Sequence, residues 1–409
     1  MNHFAIEDRL DWRTWVTPKL LETKPVHRWY VFPHSFTDEL VHTLIEEWAL
    51  TPNDRLLDPF VGAGTTLLAA KEKGIPAVGY DLSPLAVLAT RVKVACYDAE
   101  RLRHEWASLW SLIERQQWTD SSKEYPDLVQ KALPGKLLIV FHELNCAIAV
   151  LDASEAERDF FKLALLSTIR EFSRAVPTGG WLRWLDRQQS ADTIPQAFSK
   201  RVKSMIEDIA QDPTALGDNW RTQVADARTM PDLSPTYSAL ITSPPYPNRH
   251  DYTRVFGVEL MFGFLNWDQT RQLRYQSLHS HPEAHPERPP ATEYSCPSGL
   301  ATTVSTLRNK NVDSRVIRML EGYFLDLYLV LRDSRRVCKS DAKIALVVGN
   351  AQYSGVPVPV DELTAEIGEQ AGLECEKLIV ARYRGNSAQQ MKEYGRRPSR
   401  ETVVVFRRP

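Results

Sequence analysis

The chain has 409 residues, 43% of them hydrophobic and 25% charged, which is typical of a globular protein with a substantial core. A formal net charge of -2 excludes binding to nucleic acid through bulk positive charge, so any basic surface has to be local. Five scattered cysteines without a Cys-x-x-Cys pair predict free thiols in a reducing compartment, and no signal peptide or membrane span is predicted.

The first part of the chain predicts alternating strands and helices. Residues 36–50 have apolar side chains at helical spacing, and residues 54–74 predict a strand, a glycine turn and a helix. A short strand at 77–84 follows, so we expect an α/β fold with a mostly parallel sheet and helices on both faces. Residues 98–220 are mostly helical in composition and predict a large insertion, with one sharp break at 175–184.

The sheet pattern resumes after this insertion. Strands are predicted at 222–229, 237–243 and 343–350, and two more strands close the chain. Residues 266–312 are rich in Pro, His and Ser without any period, which predicts a long irregular loop. A helix is predicted over 314–337.

Three of the strand ends carry carboxylates suited to bind a ligand. In "DPFVGAGTT", Asp58 precedes a turn in which Gly62 and Gly64 allow close approach of a ligand to a helix N-terminus. Proteins that bind NAD, FAD or AdoMet all use such a turn. The third glycine of dinucleotide-binding turns is missing here, and a carboxylate before the turn suits an ammonium group better than a pyrophosphate. Asp81 is placed to bind ribose hydroxyls, and Asp226 is placed to accept a hydrogen bond from an adenine amino group.

The fourth strand end carries the sequence "SPPY". Proline cannot donate a ladder hydrogen bond, so Pro244 and Pro245 end the strand and stiffen its tip. Ligands of open α/β sheets bind outside the carboxyl ends of the strands, so we expect all four strand ends to meet at one cleft. A helix cap or a surface turn would explain any single carboxylate about as well, and the hypothesis therefore rests on the whole set.

Taken together, "DPFVGAGTT" and "TSPPY" resemble the AdoMet-binding and catalytic motifs of the DNA amino-methyltransferases, which methylate N4 of cytosine or N6 of adenine. The resemblance covers residues 51–97 and 222–409, and residues 28–41 resemble the segment beside the methionine end of the cofactor. It implies a Rossmann-like class I methyltransferase with a mostly parallel seven-stranded sheet. The implied domains are an N-terminal segment on the cofactor site (1–50), the methyltransferase core (51–97 and 221–409), a helical insertion (98–220) and a loop-rich insertion that is a candidate for target recognition (247–313).

The same resemblance implies which residues hold S-adenosyl-L-methionine (AdoMet). Asp58, the two glycines and Thr66 would hold its amino-acid end, Asp81 its ribose and Asp226 its adenine. The full predicted set is Phe32, Asp58, Pro59, Phe60, Gly62, Gly64, Thr65, Thr66, Asp81, Leu82, Asp226 and Ala227.

The implied catalytic residues are Ser243, Pro244, Pro245 and Tyr246. An exocyclic amine gains positive charge as it attacks a methyl group, so the Ser243 hydroxyl and the Pro244 carbonyl are candidate acceptors, and Tyr246 offers a face for stacking. The base has to be flipped out of a duplex, or the DNA has to be single-stranded. Serine in the first motif position favours N4 of cytosine over N6 of adenine. Methylation at C5 is disfavoured because the chain lacks a Pro-Cys dipeptide.

Basic and polar residues near the motif and in the C-terminal stretch predict contacts with DNA. The predicted substrate-binding residues are Asn248, Arg249, Tyr252, Arg254, Arg396 and Arg397. A solvated loop and a solvated pair of surface strands are the alternative interpretations. His279, His281 and His285 could suggest a metal, but the prolines around them favour a flexible loop, so no metal site is predicted.

The sequence thus predicts a site-specific DNA methyltransferase of a prokaryotic restriction-modification or defence system. We expect it to be cytoplasmic and nucleoid-associated, with a cognate restriction or defence subunit as partner. An N6-adenine DNA methyltransferase, an RNA base methyltransferase and a non-catalytic AdoMet-binding recognition subunit are the alternatives. A nicotinamide-dependent oxidoreductase is a further class, but nothing in "SPPY" serves hydride transfer.

Overall fold

The computed structural model describes residues 4–115, 124–211, 217–385, 395 and 398–409. Its strands are β1 (Ile6–Asp8), β2 (Leu56–Asp58), β3 (Ala77–Asp81), β4 (Ala175–Thr178), β5 (Trp181–Trp184), β6 (Trp220–Val224), β7 (Tyr237–Thr242), β8 (Cys338–Gly349), β9 (Ala351–Tyr353), β10 (Val356–Val358), β11 (Glu374–Arg384) and β12 (Ser399–Arg407). Its α-helices are α1 (Asp38–Glu47), α2 (Thr65–Glu72), α3 (Pro84–Val94), α4 (Ala99–Arg115), α5 (Asp127–Ala132), α6 (Lys136–Val150), α7 (Glu155–Phe172), α8 (Ile194–Gln211), α9 (Tyr252–Val255), α10 (Gly257–Gly263), α11 (Trp267–Gln276), α12 (Ser298–Asn309), α13 (Ser314–Val337) and α14 (Val360–Gln370). None of these helices is long and apolar enough to cross a bilayer.

An eight-stranded sheet in the order β1-β11-β12-β8-β7-β2-β3-β6 forms the centre of the described chain. Neighbouring strands pair in parallel except at β12, which runs antiparallel to both β8 and β11. The predicted α/β fold with a mostly parallel sheet is confirmed. The sheet has one strand more than predicted, because β1 adds a three-residue edge strand beside β11 that is too short to show an alternating pattern.

Consecutive residues of the central strands point to opposite faces of this sheet, which builds two separate cores. Leu56 and Ile241 pack in one cluster with α1 and α2, whereas Leu57 and Leu240 pack in the other with α13. Strands buried on both faces read as continuous apolar runs, as the segment Ala239-Leu240-Ile241 does. Because β2, β3, β6, β7 and β8 pair in parallel, their carboxyl ends lie at the same edge of the sheet.

Residues 98–220 contain α4 to α8 and form a third hydrophobic cluster together with α3 and α10. The sharp break read from the sequence at 175–184 is an antiparallel hairpin of β4 and β5, joined by Gly179 and Gly180. Gly179 has a φ of 57°, the left-handed conformation that a two-residue hairpin turn favours. The hairpin therefore projects from an otherwise helical segment.

The prediction of an irregular loop over 266–312 is wrong at α11 and α12. Helix α11 begins with a capping box, in which Asn266 and Gln269 each accept a hydrogen bond from the other's backbone N–H (2.9 Å). Only Thr270 is buried in this helix, so it has no apolar stripe that periodicity could detect. Helix α12 was not predicted, because the Pro-rich residues before it led us to assign the whole stretch to a loop.

Candidate active site

A cavity with an empty volume of about 1070 Å³ opens where β2, β3, β6 and β7 end. Gly64 and Thr66 lie behind its wall, where Gly64 begins α2 and the Thr66 hydroxyl donates to the Ile241 carbonyl (3.4 Å). The other members of the predicted cofactor set line the cavity: Phe32, Asp58, Pro59, Phe60, Gly62, Thr65, Asp81, Leu82, Asp226 and Ala227. The four strand ends thus meet at one cavity.

The glycine turn is held tightly against the end of β3. The Gly62 N–H donates to a carboxylate oxygen of Asp81 (3.1 Å). Gly64 has a φ of 83°, and a Cβ atom there would lie 2.9 Å from the Thr90 hydroxyl oxygen and 3.0 Å from the Thr90 Cα. Only glycine satisfies both the left-handed backbone and this close approach.

Asp58 and Asp81 are two carboxylates on the cavity wall with little exposure to solvent. One oxygen of Asp58 accepts from the Thr242 hydroxyl (2.6 Å) and from the Phe60 N–H (3.1 Å), and one oxygen of Asp81 accepts from the Ser83 N–H (2.9 Å). Burial raises the pKa of Asp58 to about 6, and burial likewise raises the pKa of Asp81 to about 6. A cationic or multiply hydroxylated ligand would restore the solvation that these carboxylates lack.

The N-terminal segment closes one side of the cavity with aromatic side chains. Phe32 stacks on Phe256 with ring centroids 4.3 Å apart, and both line the cavity. The buried ammonium of Lys93 donates to the Ala63 carbonyl (2.8 Å) in the glycine turn and to the Tyr30 carbonyl (2.7 Å). Lys93 therefore joins the two walls of the cavity. Neither Lys93 nor Phe256 was among the residues predicted from the sequence.

Asp226 lines the cavity but already has a partner that the sequence did not predict. The buried Arg228 guanidinium forms a bidentate pair with it (2.6 Å at the closest) and also contacts Asp326 (3.2 Å) and the Gln276 carbonyl (2.6 Å). This pair occupies most of the acceptor positions of Asp226. Arg228 thus fixes the orientation of the carboxylate that was predicted to read an adenine.

The motif "SPPY" begins where β7 ends, and Ser243 and Pro245 line the cavity. The Ser243 hydroxyl donates to the Val347 carbonyl on the neighbouring strand β8 (3.2 Å). Because its hydrogen is used in that bond, the lone pairs of the oxygen are free to accept from a group in the cavity.

Pro244 and Tyr246 do not line this cavity. Tyr246 is buried, and its ring packs against Gly349 at the end of β8, where an added Cβ atom would lie 2.9 Å from the ring. Burial raises the pKa of Tyr246, so the phenol is neutral at physiological pH. The ring thus lies beside the cavity and next to the strand that holds Ser243.

The segment after the motif divides into exposed and buried side chains. Asn248 and Arg249 are exposed, and Arg249 has a left-handed backbone (φ 70°), which is strained for a residue with a side chain. Tyr252 lines the cavity. Arg254 forms an ion pair with Asp251 (3.2 Å), which also caps α9.

The predicted C-terminal phosphate contacts are weakened by ion pairing. Arg396 and Arg397 lie outside the described residues. Other arginines of this stretch are bound to carboxylates: Arg382 and Arg384 to Glu401, Arg400 to Asp361 and Glu362, and Arg407 to Asp341 and Glu374. Their charges are therefore partly neutralised within the protein.

The three histidines considered for a metal have separate structural partners. His279 is paired with Asp326 (3.1 Å), His281 is hydrogen-bonded to Ser277 (2.9 Å), and His285 is hydrogen-bonded to a backbone carbonyl (2.8 Å). Across the described part of the chain, the one group with metal-ligand geometry is His27, Asp38 and Glu72. The Lys24 ammonium lies 2.6 Å from Asp38 and already supplies a positive charge there.

The chain is similar in sequence to known DNA methyltransferases. A family model described as "DNA methylase" (N6_N4_Mtase) matches residues 10–90. The chain is 26% identical over 465 residues to the Type II methyltransferase M.BsoBI of Geobacillus stearothermophilus, covering 100% of this chain and 90% of that protein. It is 27% identical over 434 residues to the Type II methyltransferase M.AvaI of Nostoc sp., covering 95% and 87%. A solved TehB-like SAM-dependent methyltransferase from Corynebacterium glutamicum has 10% identity and a TM-score of 0.30, covering 90% of this chain and 87% of that chain.

A glycine turn that meets two buried carboxylates at the edge of a sheet with this strand order is the arrangement of the class I methyltransferases. The cofactor of this class, AdoMet, fits the cavity, because its ammonium and its ribose hydroxyls match the carboxylates of Asp58 and Asp81. Within the class, the DNA methylase model matches residues 10–90, and two Type II methyltransferases align along most of the chain. The chain is thus similar to the AdoMet-dependent DNA amino-methyltransferases.

Proposed function

We propose that the protein methylates N4 of cytosine in DNA as the modification enzyme of a restriction-modification system. The observation that carries this proposal is that Ser243 and Pro245 line the same cavity as Asp58 and Gly62. The similarity of the protein along most of its length to two Type II methyltransferases supports DNA as the substrate and a restriction-modification system as the biological setting. A nuclease that cuts the same site is the partner that such a setting implies.

In this proposal, different carboxylates of the cavity wall bind different parts of the cofactor. Asp58 holds the ammonium of the amino-acid end, Asp81 holds the ribose hydroxyls, and Asp226 with Ala227 borders the adenine. The bond from the Thr242 hydroxyl to Asp58 supports this assignment, because it orients one carboxylate oxygen and leaves the other for the ligand. Phe32 and Leu82 supply apolar walls.

The protein contributes to the reaction mainly by positioning the amine in line with the methyl group. When bound, AdoMet supplies a methyl group whose transfer forms an N–C bond, breaks the S–C bond, leaves S-adenosyl-L-homocysteine and releases one amine proton to solvent. The amine nitrogen becomes positive as it attacks, and fixed acceptors stabilise that charge without reorganising. Ser243 serves as one acceptor because Val347 already takes its hydrogen. The Pro244 carbonyl is the second proposed acceptor, since Pro244 stands between two residues that line the cavity although it does not line the cavity itself.

The choice of cytosine rests on the first motif residue. A serine hydroxyl offers one acceptor oxygen on a short side chain, and the family resemblance associates serine here with N4 of cytosine. N6 of adenine is the competing target, since its exocyclic amine needs the same acceptors. The base is flipped out or unpaired, since neither amine reaches the cavity within a stacked duplex.

Mass spectrometry of nucleosides from DNA co-expressed with the protein tests the proposal. We expect N4-methylcytosine in the wild type and none in the Tyr246→Ala variant, whose AdoMet affinity should stay unchanged because Tyr246 does not line the cavity. N6-methyladenine alone would overturn the choice of base. Label from AdoMet in RNA but not in DNA would make the protein an RNA methyltransferase, and full biological function in Tyr246→Ala would make it a non-catalytic subunit.

A further inference from the structure

The β4–β5 hairpin of the helical insertion carries two tryptophans with unusually large exposure. Trp181 is 61% exposed and Trp184 is 49% exposed, whereas Leu182 between them packs against the insertion core. Arg183 is also exposed and forms no ion pair within the described ranges. Exposed aromatic side chains close to a positive charge are typical of surfaces that bind a partner.

The tip of this hairpin lies against the loop that follows the catalytic motif. A Cβ atom added to Gly180 would lie 3.1 Å from the Arg249 carbonyl oxygen and 3.3 Å from the His250 Cα. A side chain at this position would therefore require one of the two backbones to shift by a few tenths of an ångström. The Arg254 guanidinium lies 4.9 Å from the centre of the Trp181 ring, which adds a second contact between the same two elements.

His250 links the hairpin tip to the cavity. Its backbone lies against Gly180, and its ring lies 4.6 Å from the ring of His34 and 4.6 Å from the ring of Tyr252. Both of those neighbours line the cavity. Trp181, next to the hairpin tip, thus lies close to residues that border the cavity, and Trp184 follows three residues farther along β5.

We propose that the β4–β5 hairpin contacts the substrate DNA next to the target base, with Trp181 and Trp184 against unstacked bases and Arg183 with Arg249 on phosphates. The inference rests on the proposed function, since it takes DNA as the substrate. Aromatic side chains stack on any base face, and apolar wedges in other DNA-binding proteins unstack base steps. Arg249 suits the phosphate role because it is exposed, its backbone meets the hairpin tip, and its guanidinium lies 5.5 Å from the centre of the Tyr353 ring without an ion-pair partner among the described residues.

Two tryptophan variants of the full-length enzyme test this inference. We expect Trp181→Ala and Trp184→Ala to raise the KM for unmodified genomic DNA by about 5- to 150-fold each, the loss expected for one base–aromatic stack. The dissociation constant for AdoMet and the melting temperature should stay at the wild-type values. Trp181→Phe should recover most of the affinity for DNA, because phenylalanine keeps a stacking face.

Val150→Ala is the control, because Val150 is an exposed apolar side chain (74%) of the same insertion but lies at the end of α6, outside the hairpin. It should leave the KM for DNA unchanged. Wild-type KM values in both hairpin variants, or an equal rise in Val150→Ala, would overturn the inference while leaving the proposed function intact. A wild-type enzyme that methylates no DNA would instead overturn the proposed function.

Discussion

Replacing Asp58 with Asn should separate stability from cofactor binding, because this carboxylate is buried in the free protein. Burial, with a smaller contribution from Asp81, raises the pKa of Asp58 from 3.8 to about 6. The folded pKa lies above the unfolded value, so the stability that the protonated group contributes is complete below about pH 4 and is lost as the pH rises through 6. The ionised carboxylate therefore costs the folded protein about 3 kcal/mol at pH 7.

The amide in the Asp58→Asn variant does not ionise, so the variant does not carry the cost of a buried charged carboxylate. We expect its free energy of unfolding without AdoMet to exceed that of the wild type by about 3 kcal/mol at pH 7 and about 1.5 kcal/mol at pH 5. The amide oxygen can still accept from the Thr242 hydroxyl and the Phe60 N–H. AdoMet binding should weaken by roughly 10- to 150-fold, which corresponds to the loss of one charge-assisted hydrogen bond.

Urea unfolding at both pH values gives the stabilities, and calorimetric titration gives the affinity for AdoMet. The exposed Asp152 supplies a control, since Asp152→Asn should change neither quantity. AdoMet should raise the melting temperature of the wild type and of the control much more than that of Asp58→Asn. An Asp58→Asn protein that is less stable than the wild type at pH 7 and binds AdoMet normally would refute the reasoning.

Three further variants probe the groups around this carboxylate and the motif. Thr242→Val removes a hydrogen bond that stabilises ionised Asp58, so the pKa of this carboxyl should rise further and more of it should be protonated at pH 7. The affinity for AdoMet at pH 7 should therefore fall several-fold and recover by pH 8, when the carboxyl is ionised again, in a calorimetric titration. Gly349→Ala should push the Tyr246 ring aside and lower kcat at least tenfold, with an unchanged dissociation constant for AdoMet. Arg228→Met removes the ion-pair partner of Asp226 and one of the partners of Asp326, and it should cost about 3 kcal/mol of stability in urea unfolding, with weaker AdoMet binding.

The parts of the fold that could be predicted are those set by local chain chemistry. The strand before the glycine turn and the Pro-ended strand at 237–243 show their boundaries directly, because glycine and proline limit the backbone at fixed positions. The edge strand β1 and the polar helix α11 show no such signal. Edge pairing of β1 depends on a strand more than 360 residues away, and α11 is held by its capping box rather than by an apolar face.

The position of the cavity could be predicted once a parallel sheet was predicted. Parallel strands end at one edge, so carboxylates that follow different strands come together whatever lies between them in sequence. What the sequence could not show is how these groups are held. Lys93 and Arg228 act through long side chains that reach carbonyls or carboxylates on other elements, and no spacing rule connects such residues.

The structure explains how the enzyme tolerates a large insertion between its two motifs. A buried hydrogen bond from Thr242 to Asp58 joins strand β7 to strand β2 across 184 residues of sequence, so the register of the two motifs is set inside the sheet. The insertion leaves the sheet after α3 and rejoins it at β6, and it does not enter this contact. Its hairpin returns instead to the loop beyond the motif, at Arg249. Under the proposed function, the sheet sets where the cofactor and the acceptors meet, and the insertion contributes to what approaches them.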